Sequence, residues 1–126
     1  MRAVDTNVLV RLLVRDHVAQ VKAAEVFIKN GAWVSHLVLT ETLWVLDAVY
    51  ERTPDQIAVA VDLLLNHTTL TIQDADVVTL ALDAFRARPS LGFSDCLVLE
   101  TARRAGHVPL GTFDKSLAKL DGALGL

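Results

Sequence analysis

The chain has 126 residues, a length suited to one compact domain able to bury roughly two-thirds of its unfolded surface. A hydrophobic content of 52% and a mean hydropathy of +0.40 exclude a disordered polar chain. The balance of 12 basic against 15 acidic residues, net −3, excludes a broadly basic surface, so any contact with nucleic acid must use a local site.

In chain order, Ala3-Val4 is a short apolar piece that leads into Asp5-Thr6-Asn7, side chains that suit a helix N-cap. This predicts a strand-to-helix turn, with Val8, Leu9, Leu12 and Leu13 on one helical face and Arg11 and Arg15 apart from it. Asp16 is placed as the cap of a second helix that buries Val18, Val21, Ala24 and Ile28 and stops at Asn30-Gly31. Trp33-Val34 follows as a second strand, and a third helix runs from Ser35 to about Tyr50.

A fourth helix has a strong start signal: Thr53 as cap, Pro54 in the first position and Gln56 completing a capping box. Ile57, Ala60, Val61 and Leu64 form its apolar face. Leu70-Thr71-Ile72 reads as a third strand, and Asp74 caps a fifth helix with Val78, Ala81, Leu82 and Phe85 inward. Pro89-Ser90-Leu91-Gly92 is a turn-rich loop before Ser94, the expected cap of a sixth helix that ends at Gly106. Val108-Pro109-Leu110 is the expected fourth strand, Asp114 caps a last helix through Leu117 and Leu120, and Ala123 to Leu126 adds an edge strand. Short strands alternating with helices predict an α/β fold, a three-layer α/β/α sandwich with a four- to five-stranded, mainly parallel sheet in a single domain over residues 1–126.

The single cysteine, Cys96, cannot form an intrachain disulfide, and no Cys/His spacing suits structural zinc, so a reducing, cytoplasmic setting is expected. Asp5, Arg11, Arg15 and Asp16 interrupt any secretory core near the start. The longest apolar run, Ile57 to Leu65, is broken by Asp62 and is too short to span a membrane.

Four acids fall where local pattern has no use for a charge: Asp5, Glu41, Asp95 and Asp114. Asp5, Asp95 and Asp114 each have an ordinary alternative as helix caps or first-turn acids. Glu41 does not, because its helical neighbours Leu37, Val38, Trp44 and Val45 are all apolar, which reads as a buried stripe with Trp44 in the core. The alternative is a glutamate near a rim whose long side chain reaches water. In a parallel α/β sheet, ligands bind beyond the carboxyl ends of the strands, and all four acids are expected along that edge. Converging carboxylates repel by about 4 kcal/mol at ~4 Å and an effective dielectric near 20, so either a pKa rises or a cation binds. An all-oxygen donor set with open positions suits Mg²⁺ or Mn²⁺.

The ordered set Asp5-Thr6-Asn7-Val8-Leu9, Thr40-Glu41, Ser94-Asp95-Cys96-Leu97 and Thr112-Phe113-Asp114-Lys115 resembles the PIN-domain nucleases, and within them the VapC-type toxins of toxin–antitoxin pairs. The resemblance spans nearly the whole chain. It implies a metal-dependent endoribonuclease that uses Mg²⁺, with Mn²⁺ as substitute, and is inhibited by a small antitoxin protein. By position, Asp5, Asp95 and Asp114 resemble the metal ligands, and Glu41 a catalytic carboxylate that holds a second metal or supports the first. Thr6, Asn7 and Thr112 resemble the polar neighbours that orient these acids or contact phosphate. A homodimer, or a larger toxin–antitoxin assembly, is also implied, with the helix hairpin around Tyr50 to Pro54 as the expected interface.

Two departures stand out: only four residues precede Asp5, and Pro109 and Gly111 weaken the strand before Thr112. The rival readings are a catalytically silent PIN-like interaction module and a haloacid-dehalogenase-type phosphatase. The latter expects a second Asp where this chain has Asn7.

Overall fold

Strand pairing is parallel throughout, as expected, but the five strands form a three-stranded and a two-stranded sheet in place of the expected four- to five-stranded one. A computed structural model describes residues 1–126, which fold as two compact units, Met1–Ala75 and Asp76–Leu126.

The first unit carries a three-stranded sheet in the order β1 (Arg2–Ala3), β2 (Ala32–Val34), β3 (Leu70–Ile72). Arg2 is in register with Ala32, and Ala32 with Leu70, so the three strands end at one common edge. Two helices follow each of the first two strands: α1 (Thr6–Val14) and α2 (Val18–Ile28) after β1, α3 (His36–Ala48) and α4 (Pro54–Leu65) after β2. Asp5 caps α1 by accepting the Val8 N–H, and Ser35 caps α3 by accepting the Val38 N–H. Thr53 and Gln56 form the expected capping box at the start of α4.

Several expectations for this unit are corrected. Asp16 does not cap α2; His17 does, its Nδ1 accepting the Gln20 N–H at 3.1 Å. Asp16 instead takes a hydrogen bond from Arg11 at 2.6 Å and one from the Tyr50 hydroxyl at 3.3 Å, linking the ends of α1 and α3. Val18, the first residue of α2, points to solvent, while Val21, Ala24 and Ile28 are buried as expected. In α1 the fully buried residues are Thr6, Leu9 and Val10, with Val8, Leu12 and Leu13 half-buried. Packing against both α2 and α3 widens the covered face of α1 and takes in Val10.

The largest correction concerns α3. Its buried face is Leu39, Thr42, Leu43 and Leu46, and the Thr42 hydroxyl is satisfied by donating to the Val38 carbonyl at 2.7 Å. The stripe holding Glu41 is the opposite one: Leu37 is 75% exposed and Trp44 65% exposed, so Trp44 is not a core residue.

The second unit contains all but the first residue of α5 (Ala75–Ala87), a 3₁₀ turn at Pro89–Leu91, α6 (Phe93–Ala105) and a pair of parallel strands, β4 (Leu110–Thr112) and β5 (Ala123–Gly125). Val77, Val78, Ala81, Leu82 and Phe85 of α5 are buried, and Phe85 meets Phe93 edge to face at 6.1 Å. Helix α6 starts one residue before Ser94, with Gly92 at the cap position and no side-chain cap bond. Gly92 has φ +78, a conformation that glycine adopts without strain. The fourth strand begins two residues later than expected, because Pro109 has no N–H to offer a ladder. The expected last helix is a single 3₁₀ turn, Leu117–Lys119. Arg103 donates to the Asp121 carbonyl and lies where a side chain on Gly122 would project. No helix of the chain is long and apolar enough to cross a membrane.

Candidate functional site

Parallel strands deliver their C-terminal residues to one edge, and in the first unit that edge is tightly wired. Val4 N–H donates to the Trp33 carbonyl at 3.1 Å, and Gln73 N–H donates to the Val34 carbonyl at 2.8 Å. Gln73 also clamps the start of α3: its Oε1 accepts the His36 N–H at 2.9 Å, and its carbonyl pairs with His36 Nε2 at 2.6 Å. The carbonyl can only accept, so His36 donates from Nε2. Sequence reasoning missed this clamp. A histidine at a helix start is a weak signal, and its partner lies 37 residues away.

Asp5 stands directly after the β1 edge and is exposed. Its Oδ1 accepts the Val8 N–H at 3.3 Å, the expected cap. Thr6 is buried behind it, and Asn7 is exposed beside a groove lined by Val8, Arg11, Gln20, Ala24 and Phe27. Glu41 is exposed one turn from Trp44 on the outer face of α3. Its apolar helical neighbours are themselves largely outside the core, so the surroundings that made it look misplaced are a surface stripe.

The second unit brings two of the four acids within electrostatic reach of each other. Asp95 lies in the first turn of α6, whose Phe93, Cys96, Leu97 and Leu99 are buried, and is itself only partly exposed. Burial raises its carboxyl above the ordinary aspartate range, and the negative charge of Asp114 raises it further. Asp114 sits in a stiff turn after β4. Its N–H donates to Thr112 Oγ1 at 3.0 Å, while its Oδ1 accepts the N–H groups of Ser116 at 2.8 Å and Leu117 at 2.9 Å. Its other oxygen takes no part in these bonds. The neighbouring Cys96 thiol, 1% exposed, is pushed up to about 11 by burial and by the charges of Asp95 and Glu100, so it is no nucleophile at neutral pH.

Several arginines are engaged elsewhere. Arg15 pairs with Glu25 at 3.1 Å, Arg103 lies 3.5 Å from Glu100, and Arg104 pairs with Asp76. The Arg104 hydrogen bond lowers the Asp76 carboxyl below its ordinary range.

A family model described as PIN domain matches residues 2–123. The chain belongs to the PIN domain family. Members of this family are generally Mg²⁺-dependent nucleases, which makes hydrolysis of nucleic acid with a divalent cation the coarse activity of this PIN domain. No curated protein and no solved structure matches the chain.

The donor set suits that chemistry. Asp95 and Asp114 offer only oxygen, and without a cation the protein resists ionising Asp95, the condition that a divalent ion relieves. Within neither unit do three or more His, Cys, Asp or Glu side chains form a ready-made cage. Few protein ligands are what Mg²⁺ accepts, because it keeps several waters and takes phosphate oxygens as further ligands.

Proposed function

We propose that this PIN domain is an endoribonuclease that hydrolyses RNA phosphodiester bonds with Mg²⁺, or Mn²⁺ in its place, as the toxin of a toxin–antitoxin pair. The observation that carries the reading is the PIN-domain match over residues 2–123, with the partly buried Asp95 in electrostatic reach of Asp114 as its local support.

The proposed metal ligands are Asp5, Asp95 and Asp114, with Glu41 as a further catalytic carboxylate. A cation held by these residues would supply a water of lowered pKa and neutralise charge that develops on the phosphate. The chain's own residues hold and orient. The Ser116 and Leu117 amides fix one Asp114 oxygen, Thr112 fixes the Asp114 backbone, and the Val8 amide fixes one Asp5 oxygen. His36 and Gln73 set the start of the helix that carries Glu41.

The proposed protein partners are a second copy of the chain and a small antitoxin. Exposed Leu37 and Trp44, beside the acids Glu41 and Asp47, support a partner segment with apolar anchors and a basic side chain.

The test is RNA cleavage by purified Asp5→Asn and Asp95→Asn variants with contaminating nucleases removed. Both should lose Mg²⁺-dependent cleavage by roughly 100-fold or more while keeping the native circular dichroism spectrum. Cleavage at the wild-type rate by either variant overturns the assignment.

A further inference from the structure

Phe113 is 84% exposed, more than any other large apolar side chain of the protein. A phenylalanine in that position is not there for stability, since it buries little of its ring. It is also not on a loose loop. On one side, Thr112 is in the β4 ladder opposite Gly125, and its carbonyl accepts the Leu126 N–H at 3.0 Å. On the other, the Asp114 N–H is bonded to Thr112 Oγ1 and the Asp114 carboxylate holds the amides of Ser116 and Leu117. The backbone on both sides of Phe113 is therefore fixed, and the ring is presented outward from a stiff turn. Ordering such a loop on binding costs little further entropy.

We propose that Phe113 is a stacking platform for an unpaired nucleobase of the substrate, next to the carboxylate pair that Asp114 forms with Asp95. The proposal rests on the nuclease reading and deepens it by naming a side chain that would hold the substrate: an aromatic face for a base free to leave its neighbours. Two features favour a nucleobase over a protein side chain. The immediate chain neighbours of Phe113, Thr112 and Asp114, are polar, and exposed Leu126 stands across the ladder from this turn, a smaller apolar patch than the packed, desolvated clusters in which aromatic anchors of protein interfaces work. Base stacking needs only one flat apolar face with a cation nearby for the backbone, and exposed Lys115 is two positions along. In a duplex the base faces are already occupied, so the platform selects against paired strands.

The experiment uses the full chain with Phe113→Ala, Phe113→Leu and Phe113→Trp. The probes are a short single-stranded RNA oligonucleotide and its duplex. Binding is measured in Ca²⁺, cleavage in Mg²⁺, self-association by sedimentation, and folding by circular dichroism. Ala and Leu should weaken single-strand binding and raise KM by roughly 5- to 100-fold, with a much smaller change in kcat. Phe113→Trp should keep wild-type affinity, and single-strand addition should quench its emission beyond any response of Trp33 and Trp44 in the wild type. Duplex binding should not respond to any of the three. Wild-type affinity in Phe113→Ala or Phe113→Leu overturns the platform, and so does a loss of self-association with RNA binding intact. Wild-type cleavage with unchanged Phe113→Ala removes the platform but leaves the nuclease standing. RNA bound through Phe113 without Mg²⁺-dependent cleavage by the wild type does the reverse.

Discussion

Helices α3 and α6 each carry an acid among apolar helical neighbours, and the two acids have opposite physical settings. Glu41 lies on the solvent side of α3 beside exposed Leu37 and Trp44, whereas Asp95 is partly covered and feels the charge of Asp114. One pattern in sequence therefore has two causes. On α6 the acid is misplaced in an energetic sense, because the protein resists its ionisation. On α3 the apolar neighbours are what is misplaced, since hydrophobic side chains stand in water next to an exposed carboxylate.

The sharpest break with this contrast would come from the two faces of α3. Leu39→Ala should cost about 2–5 kcal/mol in denaturant unfolding, since Leu39 is fully buried. Leu37→Ala and Trp44→Ala should each change stability by less than about 0.5 kcal/mol. A loss of several kcal/mol in Trp44→Ala would return that residue to the core and undo the contrast. Next in size, Glu41→Gln should lower RNA cleavage by about 10-fold, less than Asp95→Asn, with no measurable change in unfolding free energy.

Cys96 sharpens the α6 side. With its thiol pushed up to about 11 and the side chain buried, a thiol reagent at pH 8 should modify the native protein far more slowly than the denatured chain. Labelling at equal rates would place Cys96 at the surface and open the first turns of α6. The smallest expected effect is on pH-dependent stability. Between the ordinary aspartate pKa and the raised one, the native state holds the Asp95 proton more tightly than the unfolded chain does. The metal-free protein therefore loses stability as pH rises through that window. Asp95→Asn should melt slightly above wild type at neutral pH, with the difference vanishing in acid below the ordinary aspartate range.

Much of the fold was legible because its signals are local. Thr53, Pro54 and Gln56 announce α4, and Leu70 to Ile72 is an isolated apolar triplet that forms β3 as expected. Gly106 stops α6 at the expected place in the left-handed conformation that terminates helices. What was not legible depends on which neighbours arrive. Helix α3 has apolar residues nearly all round, so Leu37, Val38, Trp44 and Val45 formed as good a stripe as Leu39, Leu43 and Leu46. Only packing against α1 and α4 decides between them.

The caps show the same limit. By residue type Asp16 suits the start of α2, but it is drawn away by Arg11 and Tyr50, the latter 34 residues distant, and His17 takes the cap. The candidate site divides likewise. Asp5 as a cap and Asp114 as a turn former follow from residue type, and the approach of Asp95 to Asp114 follows from strand order, but the burial that contributes most to the pressure on Asp95 depends on packing around α6.

The central claim, that the Asp95–Asp114 pair is the cation-holding centre, is tested most directly by calorimetric titration of Mn²⁺ into the purified protein near neutral pH. Asp95→Asn and Asp114→Asn should each weaken binding by at least ~10- to 100-fold, and Glu41→Gln by clearly less. Wild-type Mn²⁺ affinity in Asp95→Asn, or a loss in Glu41→Gln as large as that in Asp95→Asn, would contradict the account.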